Sequence, residues 1–441
     1  MHLMNTIDFK NTKLHTLYGR FLLPTLIAVI SNSLYCIVDV YFISSGSGNM
    51  GIAALNIAMP IFTIYSAIGL LFGFGSATVM SIAEGRGKAK EKDQAFTLAI
   101  FFMIVIGFII MMYTTLCPIH FAKLLGSSDV LLPYVLTYLK PICISSIPFI
   151  IMYSINIILR SDHNPKLAMH ALLTGNIFNI IFDYIFVEIY KWGIFGAAFA
   201  TSLSPVVILL VSLLHFKRKD RAHFTKDFMN ISILKRILNA GAGSGMMELS
   251  SGIIIFIFNL VILSLSNELF LSAYGIVTNI AYVIKGVLNG FSQAAQPMIS
   301  YYHGANEKQK SKQSFFISLY TSVGFSCILY ILFILFSKEV CIPFSDGNPA
   351  LIDLAAHGVI LYFSCLIFMS FNTMYMNYLQ AIEEGKISTL LAVCKGFIFV
   401  IASLFIFVSI LGMDGVWISV CGAEMLCFII CVYLLFRRHN I

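Results

Sequence analysis

Long apolar segments recur along the whole sequence, and this pattern limits the folds that are open to the chain. Twelve such segments each have the ~20 residues that an α-helix needs to cross the roughly 30 Å hydrocarbon core of a bilayer. They cover 14–43, 52–82, 95–117, 131–159, 166–188, 194–216, 234–265, 270–301, 313–336, 352–381, 387–411 and 414–436. Only 11% of the 441 residues are charged, whereas a soluble domain carries about 25% charged residues. The sequence therefore predicts an all-α integral membrane protein with twelve transmembrane helices.

Lysine and arginine residues are distributed unequally between the two sides that these segments define. Twenty-two of them lie on the side that holds both termini, and only Lys123, Lys191 and Lys338 lie on the other. Because basic loops stay in the cytoplasm, both termini are predicted to be cytoplasmic. The net charge of +7 then follows from the membrane topology, so no nucleic-acid partner is expected.

The chain repeats its landmarks on either side of a basic stretch. Gly73 and Gly290 each lie late in an apolar segment, and each is followed fourteen residues later by a glycine that opens a lysine-rich loop. Each half has six segments, so both halves enter the membrane from the same face and the pseudo-twofold repeat is parallel. We predict an N-lobe over 1–216, a cytoplasmic linker over 217–233 and a C-lobe over 234–441. Two lobes around a central cavity are typical of a transporter, and no filter motif of a channel is evident.

A carboxylate inside the first apolar segment indicates a functional site. An aspartate at the centre of a membrane helix costs about 2.5–3.5 kcal/mol on insertion scales, so it seldom lacks a compensating role. Asn32, Tyr35 and Asp39 recur at i, i+3 and i+7, which places them on one helical face. That face should border the protein interior or a water-filled cavity.

The fifth segment carries a second polar face of the same kind. Asn176, Asn179 and Asp183 again lie at i, i+3 and i+7. Two ionised acids close together repel, so one holds a proton or both share a cation. Their oxygen ligands suit H⁺ or Na⁺, and no other metal is expected. Thr201 follows in a segment rich in small residues, which permit close helix packing. Structural hydrogen bonds between helices are the alternative role for these side chains.

Four stretches of sequence carry a resemblance to a known family. They are Leu23-Pro24 with Tyr35, Val38 and Asp39; Leu159–Met169 with Asn179, Asp183 and Tyr184; Gly193–Ala198 with Ala200 and Thr201; and Gln296–Asn306. With these stretches in this order over both lobes, the sequence resembles the multidrug and toxic compound extrusion (MATE) family. The resemblance is to its DinF-like and MepA-like bacterial branch.

The resemblance implies an antiporter of the bacterial inner membrane that exports amphipathic, often cationic, compounds against an inward flow of H⁺ or Na⁺. It implies a cation-coupling site in the N-lobe formed by Asp39, Asn179, Asp183 and Thr201. We expect the polar face around that site to be completed by Asn32, Tyr35 and Asn176. Such a protein is not an enzyme and needs no cofactor; its partners are small organic substrates and the lipid bilayer, and a monomer is expected.

Candidate substrate contacts lie mainly in the C-lobe. Glu248 and Lys285, in adjacent segments, either contact the substrate or pair with each other, and Asn289 extends the polar face of Lys285. Methionine and tyrosine side chains suit the binding of flat organic cations. The candidates of this type are Met152, Tyr153, Met374 and Tyr375. Glu424 is isolated in the sequence and receives no defined role.

Two other functions remain open from the sequence. A lipid or lipid-linked oligosaccharide flippase of the same superfamily would be expected to have a strongly basic cavity and often two further segments. This chain has twelve segments and three intramembrane lysines, Lys140, Lys285 and Lys395. An intramembrane enzyme would need a metal cluster or an activated nucleophile, and His170 has no partner at metal-ligand spacing.

Overall fold

The computed structural model describes residues 8–265, 268–345 and 347–439, and these residues form helices and short loops with no strand. The α-helices are α1 Leu14–Gly85, α2 Ala89–Leu116, α3 Pro118–Leu124, α4 Leu132–Ile144, α5 Ser146–Ser161, α6 Pro165–Asp183, α7 Gly193–Ser212, α8 Ile231–Leu265, α9 Glu268–Gly304, α10 Lys308–Cys341, α11 Pro349–Tyr362, α12 Leu366–Ala381, α13 Gly385–Val393, α14 Val400–Leu411 and α15 Met413–His439. Short 3₁₀ segments cover Leu213–Lys217, Ile342–Phe344 and Phe363–Cys365, and π-helical segments cover Tyr184–Ile189 and Cys394–Phe399.

The described helices account for the predicted membrane crossings. Ten helical stretches are long and apolar enough to cross a membrane, and the pair α4 and α5, bent by 59°, forms an eleventh. The 72-residue helix α1 supplies two of the predicted segments. The all-α membrane fold predicted from the sequence is confirmed.

Helix α1 reverses its direction at Gly48. A straight helix of this length would extend about 108 Å at 1.5 Å per residue, which no bilayer could accommodate in one crossing. Gly48 has φ 56° and ψ −150°, a backbone region that glycine enters readily because it has no Cβ. The two ends of α1 lie close together, because the Phe9 ring just before α1 lies 4.5 Å from the Tyr301 ring and Gly85 at its end packs against the Tyr301 carbonyl.

The two halves of the chain repeat the same backbone irregularities. Three pairs of residues with positive φ, Gly87 and Asn306, His163 and Glu383, and Gly193 and Gly412, are separated by 219, 220 and 219 residues. A π-helical segment interrupts one helix in each half, at Tyr184–Ile189 and at Cys394–Phe399. The loops of the second half therefore follow those of the first half in the same order, 219 or 220 residues later. This constant spacing supports the parallel repeat.

Each lobe has its own apolar core, and a third core joins them. The first core draws on residues from Phe42 to Ile237, and the second on residues from Phe258 to Ala423. In the third core, Phe9, Leu17 and Phe21 pack with buried side chains of α9, α10 and α12. The segment from Phe9 to Phe21 is therefore packed onto the second lobe.

Candidate functional site

Four polar side chains predicted from the sequence meet inside the first lobe. Thr201 Oγ1 on α7 donates to Asp39 Oδ1 on α1 over 3.0 Å. The Asn179 amide on α6 turns its nitrogen to Asp183 Oδ2, at 2.8 Å, while its oxygen accepts from the Thr201 backbone N–H at 3.2 Å. All four residues are buried, with exposed fractions of 8% or less. The structure thus brings together one acid from α1, the Asn–Asp pair of α6 and the hydroxyl of α7.

The two carboxyl groups of this cluster lie next to each other without a basic partner. Asp39 and Asp183 are within hydrogen-bonding reach, and Asp183 Oδ1 is buried with no hydrogen-bond partner among the described residues. In the described chain, neither acid forms an ion pair with a lysine, arginine or histidine; the buried ion pairs lie elsewhere. An ionised carboxylate only accepts hydrogen bonds, so this contact requires a proton or a cation between the two groups.

Local sequence explains why the helices carrying these groups approach so closely. Ala197, Ala198 and Ala200 of α7 are fully buried, and Ser204 Oγ donates to the Gly175 carbonyl of α6 over 3.0 Å. Immediately after Asp183 the helix widens into the π-helical segment Tyr184–Ile189. Single π-turns of this kind are frequent at functional sites.

The three residues expected to complete the polar face have different surroundings. Asn176 Nδ2 donates to Ser31 Oγ over 3.1 Å, which ties α6 to α1 near the acids. Tyr35 lies close enough to Asp39 and Asp183 to interact electrostatically with both. Asn32 instead lines the central cavity. This face therefore extends from the carboxylate pair towards the space between the lobes.

A cavity of about 430 Å³ lies between the two lobes. Five of the predicted substrate contacts line it: Met152, Tyr153, Glu248, Lys285 and Asn289. Met374 and Tyr375 do not. They are 2% and 0% exposed and pack in the core with Phe315 of α10, because α12 turns this face towards its neighbours within the lobe.

The predicted alternative of a Glu248–Lys285 ion pair is not the arrangement found. Glu248 Oε1 accepts a hydrogen bond from Ser66 Oγ of the other lobe over 2.8 Å. Within the described chain Lys285 makes neither an ion pair nor a hydrogen bond, and the only intramembrane lysine with a carboxylate partner is Lys395. Both Glu248 and Lys285 therefore present their side chains to the cavity.

Glu424, which had no defined role from the sequence, belongs to a buried polar triad. Lys395 Nζ lies 2.9 Å from Glu424 Oε1, and Asn372 Nδ2 donates to Glu424 Oε2 over 2.8 Å. Lys395 and Glu424 also line the central cavity. The sequence feature that could have predicted this ion pair is the presence of opposite charges, Lys395 and Glu424, in two consecutive apolar segments.

The lobes are in contact at the end that carries the basic loops. Gly85 and Gly304 allow α1 and α9 to touch there: a Cβ on Gly85 would overlap the Tyr301 carbonyl, and a Cβ on Gly304 would overlap that of Ile82. Arg236 forms ion pairs with Glu91 at 3.2 Å and Glu383 at 2.7 Å, and so joins loops of both lobes.

A buried aspartate in the loop between α5 and α6 joins helix α2 to the connection that follows α7, at the same end of the molecule. Asp162 is 1% exposed; it pairs with Lys92 at 2.7 Å and His215 at 2.7 Å, and accepts from the Ala222 backbone N–H at 2.8 Å. Burial alone would raise the pKa of Asp162, but the His215 hydrogen bond and the Lys92 charge outweigh it and hold the pKa well below its usual range. Asp162 is therefore ionised at neutral pH.

Among the described residues, no group of three or more histidine, cysteine, aspartate or glutamate side chains is placed to hold a metal ion. The polar groups that the structure assembles are the carboxylate pair and a charged cavity between two lobes, an arrangement suited to ion-linked transport.

Comparison with known proteins defines the class to which this arrangement belongs. The MatE family model matches residues 24–185 and 244–408, one stretch in each lobe. The chain belongs to the MATE family of membrane transporters, in its MepA-like branch. It is therefore a multi-pass membrane transporter, and an intramembrane enzyme is excluded.

Relatives and solved structures agree with this membership. The chain is 25% identical over 428 residues to the multidrug export protein MepA of Staphylococcus saprophyticus, covering 96% of this chain and 94% of that protein. It is 24% identical over 440 residues to MepA of Staphylococcus haemolyticus, covering 98% and 95%. A multidrug resistance MATE family transporter solved in an outward-facing conformation superposes with a TM-score of 0.92 at 21% identity, covering 99% of this chain and 98% of that one. A transporter of the same superfamily from Pyrococcus furiosus gives a TM-score of 0.91 at 21% identity, with the same coverage.

Proposed function

We propose that the protein is a cation-coupled antiporter that exports small amphipathic organic compounds across the bacterial cytoplasmic membrane. The observation that carries this proposal is the buried pair of Asp39 and Asp183, with one carboxylate oxygen left without a partner. The relatives of similar length are multidrug export proteins, which supports efflux of organic compounds as the transport reaction.

The coupling step follows from the electrostatics of the carboxylate pair. When the cavity is open to the outside, a proton or Na⁺ enters between Asp39 and Asp183 and removes the repulsion between them. The packing of α1 against α6 and α7 then changes, because Thr201 and Asn179 hydrogen-bond to the same acids. The ion thereby favours the state that releases the exported compound to the outside.

Alternating access needs only that the ion and the exported compound have different affinities for the two states of the cavity. We propose that the lobes over 1–216 and 234–441 move as two bodies, with 217–233 as the cytoplasmic linker. With both termini in the cytoplasm, as we propose, the interlobe contacts at Gly85 and Arg236 lie on the cytoplasmic side of the cavity.

The cavity supports an amphipathic substrate. Met152 and Tyr153 supply polarisable and aromatic surface, and Glu248 supplies an acid for a cationic group. Hard oxygen ligands at the carboxylate pair accommodate either H⁺ or Na⁺. We therefore propose both as candidate coupling ions, with no further cofactor, and a monomer as the transporting unit.

Reconstitution tests the proposal and identifies the ion. The purified protein is placed in proteoliposomes, and the flux of a fluorescent amphipathic dye is followed under a pH gradient alone and under a Na⁺ gradient alone. We expect at least one gradient to drive dye accumulation against its own gradient, and empty vesicles to show none. Dye flux that never exceeds passive equilibration under either gradient would contradict an antiporter.

Lipid or lipid-linked oligosaccharide flipping is the second candidate. The observation in its favour is that Arg160, Lys285 and Lys395 all line the cavity, since basic side chains would bind a phosphate group. The twelve apolar segments predicted from the sequence, two fewer than such a flippase would often have, argue against it. In the same proteoliposomes, a fluorescent short-chain phospholipid that changes leaflet faster than in empty vesicles, with no gradient-driven dye flux, would favour this candidate.

A further inference from the structure

The basic linker over 217–233 is hydrogen-bonded along the start of α2. The His223 backbone N–H donates to Asp93 Oδ1 over 2.8 Å, and Gln94 Nε2 donates to the Asp227 carbonyl over 2.6 Å. Because backbone groups of the linker are held by side chains of α2, this part of the linker has a fixed position on the first lobe.

The linker also follows α2 into its apolar part. The Phe224 ring lies 4.9 Å from the Phe96 ring, and the Phe228 ring lies 5.1 Å from the Phe101 ring. Phe101 comes seven residues after Gln94, within the apolar run of α2, and is an exposed residue. Since α2 is long and apolar enough to cross the membrane, an exposed ring on it faces lipid. The linker therefore lies beside the outer surface of a membrane helix.

Large apolar side chains of the linker point away from the protein. Phe224, Met229 and Ile231 are 58%, 68% and 71% exposed. Exposed apolar surface of this kind marks a contact with a membrane or a partner. Segments that lie in the membrane interface combine such side chains with lysine and arginine, and the position beside α2 places these three residues where acyl chains begin.

The lysines of the linker exceed its acids. Asp220 pairs with Arg218 at 2.8 Å, and Asp227 pairs with Lys90 at 2.6 Å, so both acids of the linker are already neutralised. Three further basic side chains are exposed and form no ion pair within the described chain: Lys217, Lys219 and Lys226. A surface with three uncompensated positive charges is thus held next to the lipid-facing side of α2.

We propose that this surface of the linker binds the headgroups of anionic phospholipids. Lys217, Lys219 and Lys226 contact the phosphate groups, while Phe224 and Met229 insert between the first segments of the acyl chains. A zwitterionic headgroup neutralises its own phosphate, so the lysines favour lipids with a net negative charge. Each lysine near an anionic membrane surface increases binding about fivefold.

Anionic lipids bound here would act on the first lobe. The linker is joined to α2 through Asp93 and Gln94 and to the loop before α6, because the Ala222 backbone N–H donates to Asp162 Oδ2 over 2.8 Å. The bound lipids would therefore hold the first lobe at one depth in the bilayer. This inference concerns the membrane and does not depend on which compound is exported.

A tryptophan placed in the linker reports on the lipids that touch it. Met229→Trp changes an exposed side chain and should leave the fold intact. The two natural tryptophans serve as background, since Trp192 lies at the other end of α7 and Trp417 is buried. The full-length protein is reconstituted in phosphatidylcholine bilayers, and phosphatidylglycerol or phosphatidylcholine with brominated acyl chains is added as the quencher.

The fluorescence difference between Met229→Trp and wild type gives the relative affinity of the two lipids at the linker. We expect phosphatidylglycerol to be preferred at least about fivefold at low ionic strength. The preference should fall to within about twofold at roughly 0.5 M NaCl, because salt screens charges at a surface. Quenching of Trp192, measured in the wild type, should show no such difference between the lipids.

Two sets of lysine substitutions separate the linker from the general charge of this end of the molecule. Both are made in the Met229→Trp background. The first set should reduce the preference to within about twofold and consists of Lys217→Gln, Lys219→Gln and Lys226→Gln. The control set removes three exposed lysines outside the linker and should leave the preference unchanged; it consists of Lys10→Gln, Lys13→Gln and Lys386→Gln.

Several outcomes would overturn the inference. Quenching of the added tryptophan by aqueous iodide, with none by brominated lipid, would show that the linker faces water. Equal quenching by both brominated lipids would mean that the surface has no preference for anionic headgroups. An equal loss of preference in both lysine sets would assign it to overall charge. No gradient and no dye is present, so failure of the proposed efflux function would leave each of these results unchanged.

Discussion

The hydroxyl of Thr201 is the smallest group that touches the carboxylate pair, and its removal tests the site with little change in shape. Thr201→Val deletes the hydrogen bond to Asp39 Oδ1, which stabilises the ionised carboxylate, and should therefore raise the apparent affinity for a coupling proton about tenfold, as hydrogen bonds to charged groups contribute about 1.5–3 kcal/mol. The measurement is dye flux against the concentration of the driving ion. Thr137→Val, where the hydroxyl contacts only the Pro133 carbonyl of its own helix, should leave the ion dependence unchanged; an equal shift in both variants would contradict the assigned role.

The buried ion pair between Lys395 and Glu424 allows a second prediction for single residues, which concerns the stability of the protein. Glu424→Gln leaves the Lys395 charge buried without a counter-charge, which in other proteins costs about 3–5 kcal/mol. We expect a large fall in the apparent melting temperature in detergent. The double variant Lys395→Met with Glu424→Gln should recover much of this fall, because no buried charge remains. If the fall in melting temperature of the double variant equals the sum of the falls in the two single variants, the two residues act independently and this account is contradicted.

At the scale of single elements, the contact between the ends of α1 and α9 depends on the absence of side chains. Gly85→Val places a branched side chain against the Tyr301 carbonyl, and overpacking of this kind costs about 1–3 kcal/mol. The state in which the lobes touch at the end that carries the basic loops should become less populated. Dye flux should then fall by at least about fivefold. Gly324→Val in α10, whose Cβ would meet open space, is the control. Equal flux in wild type and Gly85→Val would mean that this contact is not part of the transport cycle.

The contacts of Asp162 with α2 and with the connection after α7 are a second feature at the scale of single elements. Their contribution to stability depends on pH. The pKa of Asp162 is held below its usual value by His215 and Lys92 despite burial. Its contribution to stability is therefore fully present above the unfolded pKa of about 3.9 and is lost as the pH falls through the lower folded pKa. Asp162→Asn should lower the apparent melting temperature at pH 7 and still at pH 5, and the difference should narrow below about pH 4. A difference that disappears already between pH 7 and pH 5 would contradict this account.

Sequence periodicity located the polar residues of the first lobe but could not describe the second lobe equally well. Asp39 and Asp183 stand out because a carboxylate in an apolar segment is rare and each repeats a polar spacing along its own helix. The Lys395–Glu424 pair depends on the rotation of two helices about their axes, which no single segment encodes. The same rotation decides that Met152 lines the cavity while Met374 is buried in a core. The hairpin at Gly48 joins two predicted segments into one element, and the repeat of positive-φ loops becomes visible only in the backbone.

At the scale of the whole molecule, the account requires that one buried site in the first lobe sets the direction of transport through a cavity between both lobes. The cavity lies between the lobes and its wall carries Arg160, Glu248 and Lys285, while the carboxylate pair lies inside the first lobe. Helices α1 and α6 each carry one of the two acids and one residue of the cavity wall, Asn32 and Leu172, so both connect the two sites. Removal of the ion site should therefore abolish accumulation of the dye while leaving dye binding in the cavity intact.

The most direct test of this claim is gradient-driven dye flux by Asp39→Asn in proteoliposomes. The matched control is Asp353→Asn, an exposed acid that pairs with Lys338 at 2.7 Å. We expect Asp39→Asn to be folded and inserted, to bind the dye with wild-type affinity and to show no accumulation under either ion gradient, while Asp353→Asn transports normally. Full ion-driven accumulation by Asp39→Asn would contradict the central claim that this carboxylate couples the ion to export.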